Sequence, residues 1–139
     1  MNIVIIEDNQ DHARILKWAF EQNSRNDHLM FFSDPQVALD FVTGNKKEQS
    51  FSPDIVFLDL NLPKIDGRDV LRLLKTTEET KKIPVIVLSS SDREEDVRFA
   101  YQLGANTYIS KSLLLNQLTL SLKTILEYWS QIAKLPPRK

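Results

Sequence analysis

The chain has 139 residues, 42% hydrophobic and 27% charged, which suits one globular domain with enough apolar mass for a core without disulfides or a structural metal. Its formal net charge is -1 and its 18 lysines and arginines are dispersed, so no basic stripe marks a nucleic-acid partner. Cysteine is absent, no signal pattern opens the chain, and no apolar stretch nears the roughly 20 residues that span a bilayer; the expectation is a cytoplasmic protein without membrane contact.

From the N-terminus, short apolar runs alternate with amphipathic stretches. Residues 2–6 read as a strand and 10–22 as a helix, with Asp8 or Asn9 as its cap and Ala13, Leu16 and Phe20 as its core stripe. A strand over 29–32 precedes a helix over 35–43. Asp34 caps that helix, Pro35 suits its first position, and Gly44 stops it. After a polar loop with Ser52-Pro53 come a strand over 54–59, a helix over 67–76 whose Gly67 relieves backbone crowding, and a strand over 83–89. Ser91 and Glu94 have the S-x-x-E spacing of a capping box, which predicts a helix running to about 103 and ended by Gly104. The last unit is a strand over 107–110 and a long helix with apolar positions at Leu115, Leu118, Leu122, Ile125, Trp129 and Ile132, closed by Pro136-Pro137.

The runs 3–6, 55–58 and 85–88 are β-branched and almost uninterrupted, as strands covered on both faces are. Repeated β-α units with right-handed crossovers predict an α/β fold: a five-stranded parallel sheet with helices on both faces and an extended last helix. One domain is expected over 1–127, with 128–139 continuing the last helix into a short proline-containing tail.

In an open parallel sheet the carboxyl ends of the strands share one edge, where ligands bind. Glu7 and Asp8, Asp59, Ser89 and Lys111 all stand at strand ends and should meet there. Two like charges about 4 Å apart repel by roughly 4 kcal/mol at an effective dielectric near 20, so clustered acids call for protons or a cation. An all-oxygen set suits Mg²⁺, with Mn²⁺ able to substitute. Lys111 adds a positive charge and Ser89 a hydroxyl donor, which together outline an anion site. A carboxylate nucleophile, a metal and a lysine are enough to form an acyl phosphate, and Asp59 is the candidate nucleophile. Taken singly, each acid reads rather as a helix cap or a solvated loop residue.

These residues, in DIVFLDLNLPKIDG, PVIVLSSSD and NTYIS followed by Lys111, resemble the receiver domain of two-component response regulators over essentially the whole chain. The resemblance implies the flavodoxin-like strand order 2-1-3-4-5 and phosphorylation of Asp59 by a histidine kinase. It implies Mg²⁺ held by Asp8, Asp59 and the Asn61 backbone carbonyl, with Glu7 acting through metal-bound water. Lys111 and Ser89 would hold the phosphoryl oxygens, and Tyr108 would be the aromatic that turns inward as the Ser89 hydroxyl moves. Packing alone also accounts for Tyr108, and turn formation for Asn61. DLNLPKIDGRDVL, Lys111-Ser112 and EYWSQIAKLP look like a narrower group, the small regulators paired with phytochrome-type sensor kinases. In most receivers the lysine precedes a proline and the bond between them is cis; here Ser112 follows.

Neither His12 nor His28 has partners at metal-ligand spacing, so both read as surface residues without chemistry of their own. His12, Ile15 and Trp18 are expected to form part of a surface that docks a phosphohistidine donor, packing against a neighbouring loop being the alternative. Tyr128, Trp129 and Ile132 extend the last apolar stripe and are expected to cover a second copy in a homodimer, or else the chain's own core. The reading is a stand-alone switch that acts only on itself and is no enzyme toward other substrates. Two rivals are a receiver-like binding module that is never phosphorylated and an aspartyl-phosphate phosphatase of the haloacid dehalogenase type. The latter wants a second acid where Asn61 stands.

Overall fold

The computed structural model describes residues 1–23, 25–44, 51–62 and 65–137. The polar loop at 45–50, Pro63 of the expected turn and the end of the tail at 138–139 lie outside them. Strands and helices alternate: β1 (Asn2–Ile6), α1 (Gln10–Gln22), β2 (His28–Phe32), α2 (Pro35–Val42), β3 (Ile55–Asp59), α3 (Gly67–Thr76), β4 (Val85–Ser89), α4 (Glu94–Gln102) and β5 (Thr107–Ser110). Then come α5 (Lys111–Asn116), α6 (Leu118–Glu127) and a π-helical turn, Tyr128–Ile132. Every strand pairing is parallel, in the order β2-β1-β3-β4-β5. Among the described residues no helix is long and apolar enough to cross a membrane.

The three uninterrupted apolar runs are the three central strands, every residue of which is buried. Alternation along them divides the core in two. Val4, Ile6, Val56, Leu58, Val85 and Val87 pack with residues of α2, α3 and α4. Ile3, Ile5, Ile55, Phe57, Ile86 and Leu88 pack with α1, α5 and α6. The same parity aims the residues at the strand ends. Glu7 and Asp59 continue the series that faces α1, while Ser89 and Tyr108 continue the series that faces α4.

Local signals explain most boundaries. Asn9 caps α1, its side chain accepting from the amides of Asp11 and His12. Asp34 caps α2 with Pro35 in its first turn, and Gly44 (φ 72°) and Gly104 (φ 104°) take the left-handed conformations that follow α2 and α4. Gly67 is required by space. A Cβ there would lie 2.5 Å from Leu60 Cα and 2.5 Å from its carbonyl oxygen, so α3 starts directly against the β3 loop.

Several expectations are corrected. Ser91 is no helix cap. α4 begins at Glu94 after Arg93, and the Ser91 hydroxyl accepts from the Arg93 amide 3.2 Å away while donating to Asp96. The Tyr108 hydroxyl holds the Ser91 carbonyl at 2.7 Å, which keeps Ser91 in the loop, and the acids of the first turn suit the helix dipole instead. The last helix is not continuous. It breaks at Gln117 (φ -131°, ψ 43°), and its buried stripe is Leu114, Leu118, Leu122 and Leu126. In α1 the buried apolar residues are Leu16, Ala19 and Phe20, with Ala13 only half-buried. No described peptide bond is cis, so Lys111-Ser112 is trans and α5 starts on the lysine itself.

Candidate functional site

The carboxyl ends of β1 and β3 bring Glu7, Asp8 and Asp59 together, with one carboxylate oxygen from each within 4.8 Å of the others. Asn9 takes over the capping of α1, so Asp8 is not spent on it. Lys111, which opens α5, reaches back across the sheet edge. Its Nζ donates to Glu7 Oε1 at 2.7 Å and to Asp59 Oδ2 at 3.0 Å. The other Asp59 oxygen, Oδ1, accepts from the Asn61 amide at 2.9 Å. Glu7, Asp59 and Lys111 are all buried.

Burial sets the electrostatics. Desolvation, reinforced by the neighbouring Asp59, pushes the Glu7 carboxyl up to about 8, and Lys111 offsets this only in part. Burial also acts to raise Asp59, but the neighbouring Glu7, the Asn61 amide and Lys111 outweigh it and hold Asp59 below the ordinary carboxylate range. Burial acts to lower Lys111, yet its bonds to Glu7 and Asp59 raise it above an ordinary lysine. Glu7 and Asp59 are thus displaced in opposite directions.

Glu7 Oε2 is buried with no hydrogen-bond partner among the described residues. A buried carboxylate oxygen without a donor is costly. It fits a hard divalent cation or its bound water, as does the all-oxygen donor set around it.

Ser89 ends β4, buried, and its Oγ accepts from the Ser91 amide at 3.1 Å. Tyr108 is half-buried on the α4 side, with its hydroxyl on the Ser91 carbonyl and its amide donating to the Tyr101 hydroxyl at 3.2 Å. Ser89 and Tyr108 therefore meet through one loop residue, Ser91. Asn61 extends its side chain across the mouth of the site, donating to Ser90 Oγ at 2.7 Å.

The structure overturns one reading outright. His12 is no free surface residue: its Nδ1 lies 3.0 Å from Lys111 Nζ and 3.4 Å from Glu7 Oε1. The signal was its spacing, since His12 stands four residues before Leu16 and eight before Phe20 on the inward stripe. His28, by contrast, is exposed, with its ring Nδ1 3.2 Å from Asn2 Oδ1 and away from the acids. Ile15 (41% exposed) and Trp18 (54%) point outward on α1. At the far end of α6, Trp129 is half-buried against the core, whereas Tyr128 (47%) and Ile132 (75%) are exposed.

Residues 3–123 match the response regulator receiver domain. The chain belongs to that family. Receivers are phosphorylation-operated switches of two-component signalling, and the strand order and acidic edge described above are those of such a domain. Response regulator Rcp1 of Synechocystis is 34% identical over 135 residues, 96% of this chain and 92% of its own. The phosphorylated cyanobacterial phytochrome response regulator RcpA superposes with a TM-score of 0.88 at 36% identity, covering 98% of each chain. The Mn²⁺-bound form of Rcp1 gives 0.86 at 34% identity, covering 98% of this chain and 99% of its own. This receiver is thus similar in sequence and shape to single-domain regulators.

Proposed function

We propose that Asp59 is the phosphoryl acceptor and that the donor is the phosphohistidine of a phytochrome-type sensor kinase. An Asp59 oxygen attacks phosphorus, the phosphorus–nitrogen bond of the donor breaks, and its electron pair returns to the donor imidazole. The observation that supports this best is geometric: Asp59 stands at the centre of the acidic edge with Glu7 and Asp8, one oxygen held by Lys111 at 3.0 Å and the other by the Asn61 amide at 2.9 Å. Glu7, Asp8, Asp59 and the Asn61 carbonyl would hold Mg²⁺ or Mn²⁺, which when bound supplies positive charge to the acceptor and phosphoryl oxygens. Lys111 and Ser89 donate to the phosphoryl oxygens. The reorientation of Ser89 passes through Ser91 to Tyr108 and α4, which is the output. The acyl phosphate is lost by slow hydrolysis on the same protein, with no other substrate turned over.

Ile15 and Trp18, with the still partly exposed His12, are the donor-docking surface in this reading, and the setting is cytoplasmic. Self-association would use Tyr128 and Ile132, because Trp129 is engaged with its own core. Residues 1–127 act as the receiver unit and 128–139 as its appendage.

The test is incubation with Mg²⁺ and acetyl phosphate, followed by intact-mass analysis. One phosphoryl group should add to the wild type and none to Asp59→Asn. Labelling that survives in Asp59→Asn would favour another acceptor, absence of labelling in both the unphosphorylated module, and steady hydrolysis of phosphomonoesters the phosphatase.

A further inference from the structure

The Lys111 ammonium has three N–H bonds and no lone pair. All three find acceptors: Glu7 Oε1 at 2.7 Å, Asp59 Oδ2 at 3.0 Å and His12 Nδ1 at 3.0 Å. An ammonium only donates, so Nδ1 accepts and the ring proton sits on Nε2. The 3.4 Å approach of Nδ1 to Glu7 Oε1 then follows from two acceptors flanking one donor. The placement is built from the sequence upward. Asn9 Oδ1 accepts from the Asp11 and His12 amides at 3.0 and 3.1 Å, which sets the first turn of α1 over the sheet edge. The imidazole then lies beside Lys111 in a crevice walled by Leu16, Leu88 and Leu114.

We infer that His12 is a positioning residue for phosphoryl transfer: its Nδ1 fixes where the Lys111 ammonium sits beside Asp59 before the phosphoryl group arrives. The inference rests on the reading of Asp59 as acceptor. In that reaction an Asp59 oxygen bonds to phosphorus, the bond from phosphorus to the leaving group breaks, and the electron pair departs with that group. The Lys111 contact to Asp59 then passes to a phosphoryl oxygen. Nδ1 takes no part in these bond changes, so it stays as an anchor for a long, rotamer-rich side chain throughout. Offering a single lone pair, Nδ1 anchors without competing for the ammonium as strongly as a further carboxylate would.

Acetyl phosphate labelling in saturating Mg²⁺ separates this role from donor docking, because a small-molecule donor needs no protein surface. His12→Leu keeps the bulk and removes the acceptor; its saturating rate is expected to fall about tenfold, with half-saturating acetyl phosphate and thermal midpoint little changed. His12→Asn places Oδ1 where Nδ1 was and should recover most of the rate. A His12→Leu variant that labels at the wild-type rate, or a His12→Asn variant no faster than His12→Leu, overturns the inference. Both outcomes leave the acceptor reading intact so long as Asp59→Asn blocks labelling. Wild-type labelling that is absent, or indifferent to Asp59→Asn, overturns the acceptor reading and this inference with it.

Discussion

The two ends of one sheet treat polar groups in opposite ways. At the amino ends of the strands, the Asn2 amide donates to Asp54 Oδ2 and the Asp54 amide to the Asn2 carbonyl, both at 2.8 Å. Asn106 and Val85 exchange a similar pair of bonds, at 2.9 and 3.0 Å. Lys75 is drawn under the loop before β4, where the Ile83 carbonyl takes its ammonium at 2.7 Å and burial lowers its proton affinity. These bonds close on the backbone and complete it. At the carboxyl ends the acids crowd one another, burial pushes one of them above its usual range, and a buried oxygen lacks a partner among the described residues. Satisfied polar groups hold a fold together; unsatisfied ones keep a capacity for something else to bind.

The largest effect should come from relieving that crowding. Glu7 keeps a proton that the unfolded chain has lost, so its contribution to stability is complete below its ordinary value of 4.5 and disappears as pH rises through about 8. Asp59 behaves in the opposite sense. Its contribution is present above its ordinary 3.8 and is lost only as pH falls further, outside that window. In chelator, the thermal midpoint of the wild type should therefore drop relative to Glu7→Gln between about 4.5 and about 8, and Mg²⁺ should remove the difference. Parallel curves for the two proteins would break the contrast between the edges.

Next in size is Gly67→Ala. The added carbon meets Leu60 backbone at 2.5 Å, and backbone cannot swing aside as a side chain does. A loss of about 3 kcal/mol in denaturant unfolding is expected, together with slower acetyl phosphate labelling, because the displaced loop carries Asn61. Labelling at the wild-type rate would show that this loop tolerates movement. Asp54→Ala sharpens the comparison from the other side. Losing the bond to the Asn2 amide should cost about 1 to 2 kcal/mol while leaving labelling unchanged, since Asp54 and the acids lie at opposite ends of the strands. A labelling defect in Asp54→Ala would mean that the two edges are coupled.

The central sheet was readable because β1, β3 and β4 are apolar on both faces, and their polar terminal residues then had only one edge to occupy. Asn9 and Asp34 act as caps because their side chains reach amides two or three residues ahead, a purely local property. The misses depend on tertiary contacts. No glycine or proline marks the break at Gln117, and the apolar spacing of the last helix admits two phases until α5 is set by Lys111 turning inward. Ser91 has the right spacing for a cap, but Tyr108, 17 residues later, claims its carbonyl. His12 was missed because Lys111, the donor that its Nδ1 meets, stands 99 residues away.

The hydroxyl of Tyr101 has a further consequence. β5 pairs on one side only, with β4, so its other flank presents unpaired amides of the kind that recruit strands from other molecules. Tyr101, reaching over from α4, takes the Tyr108 amide on that flank. An incoming strand would find this donor already used and an aromatic ring in its way, so α4 guards this border of the sheet against aggregation.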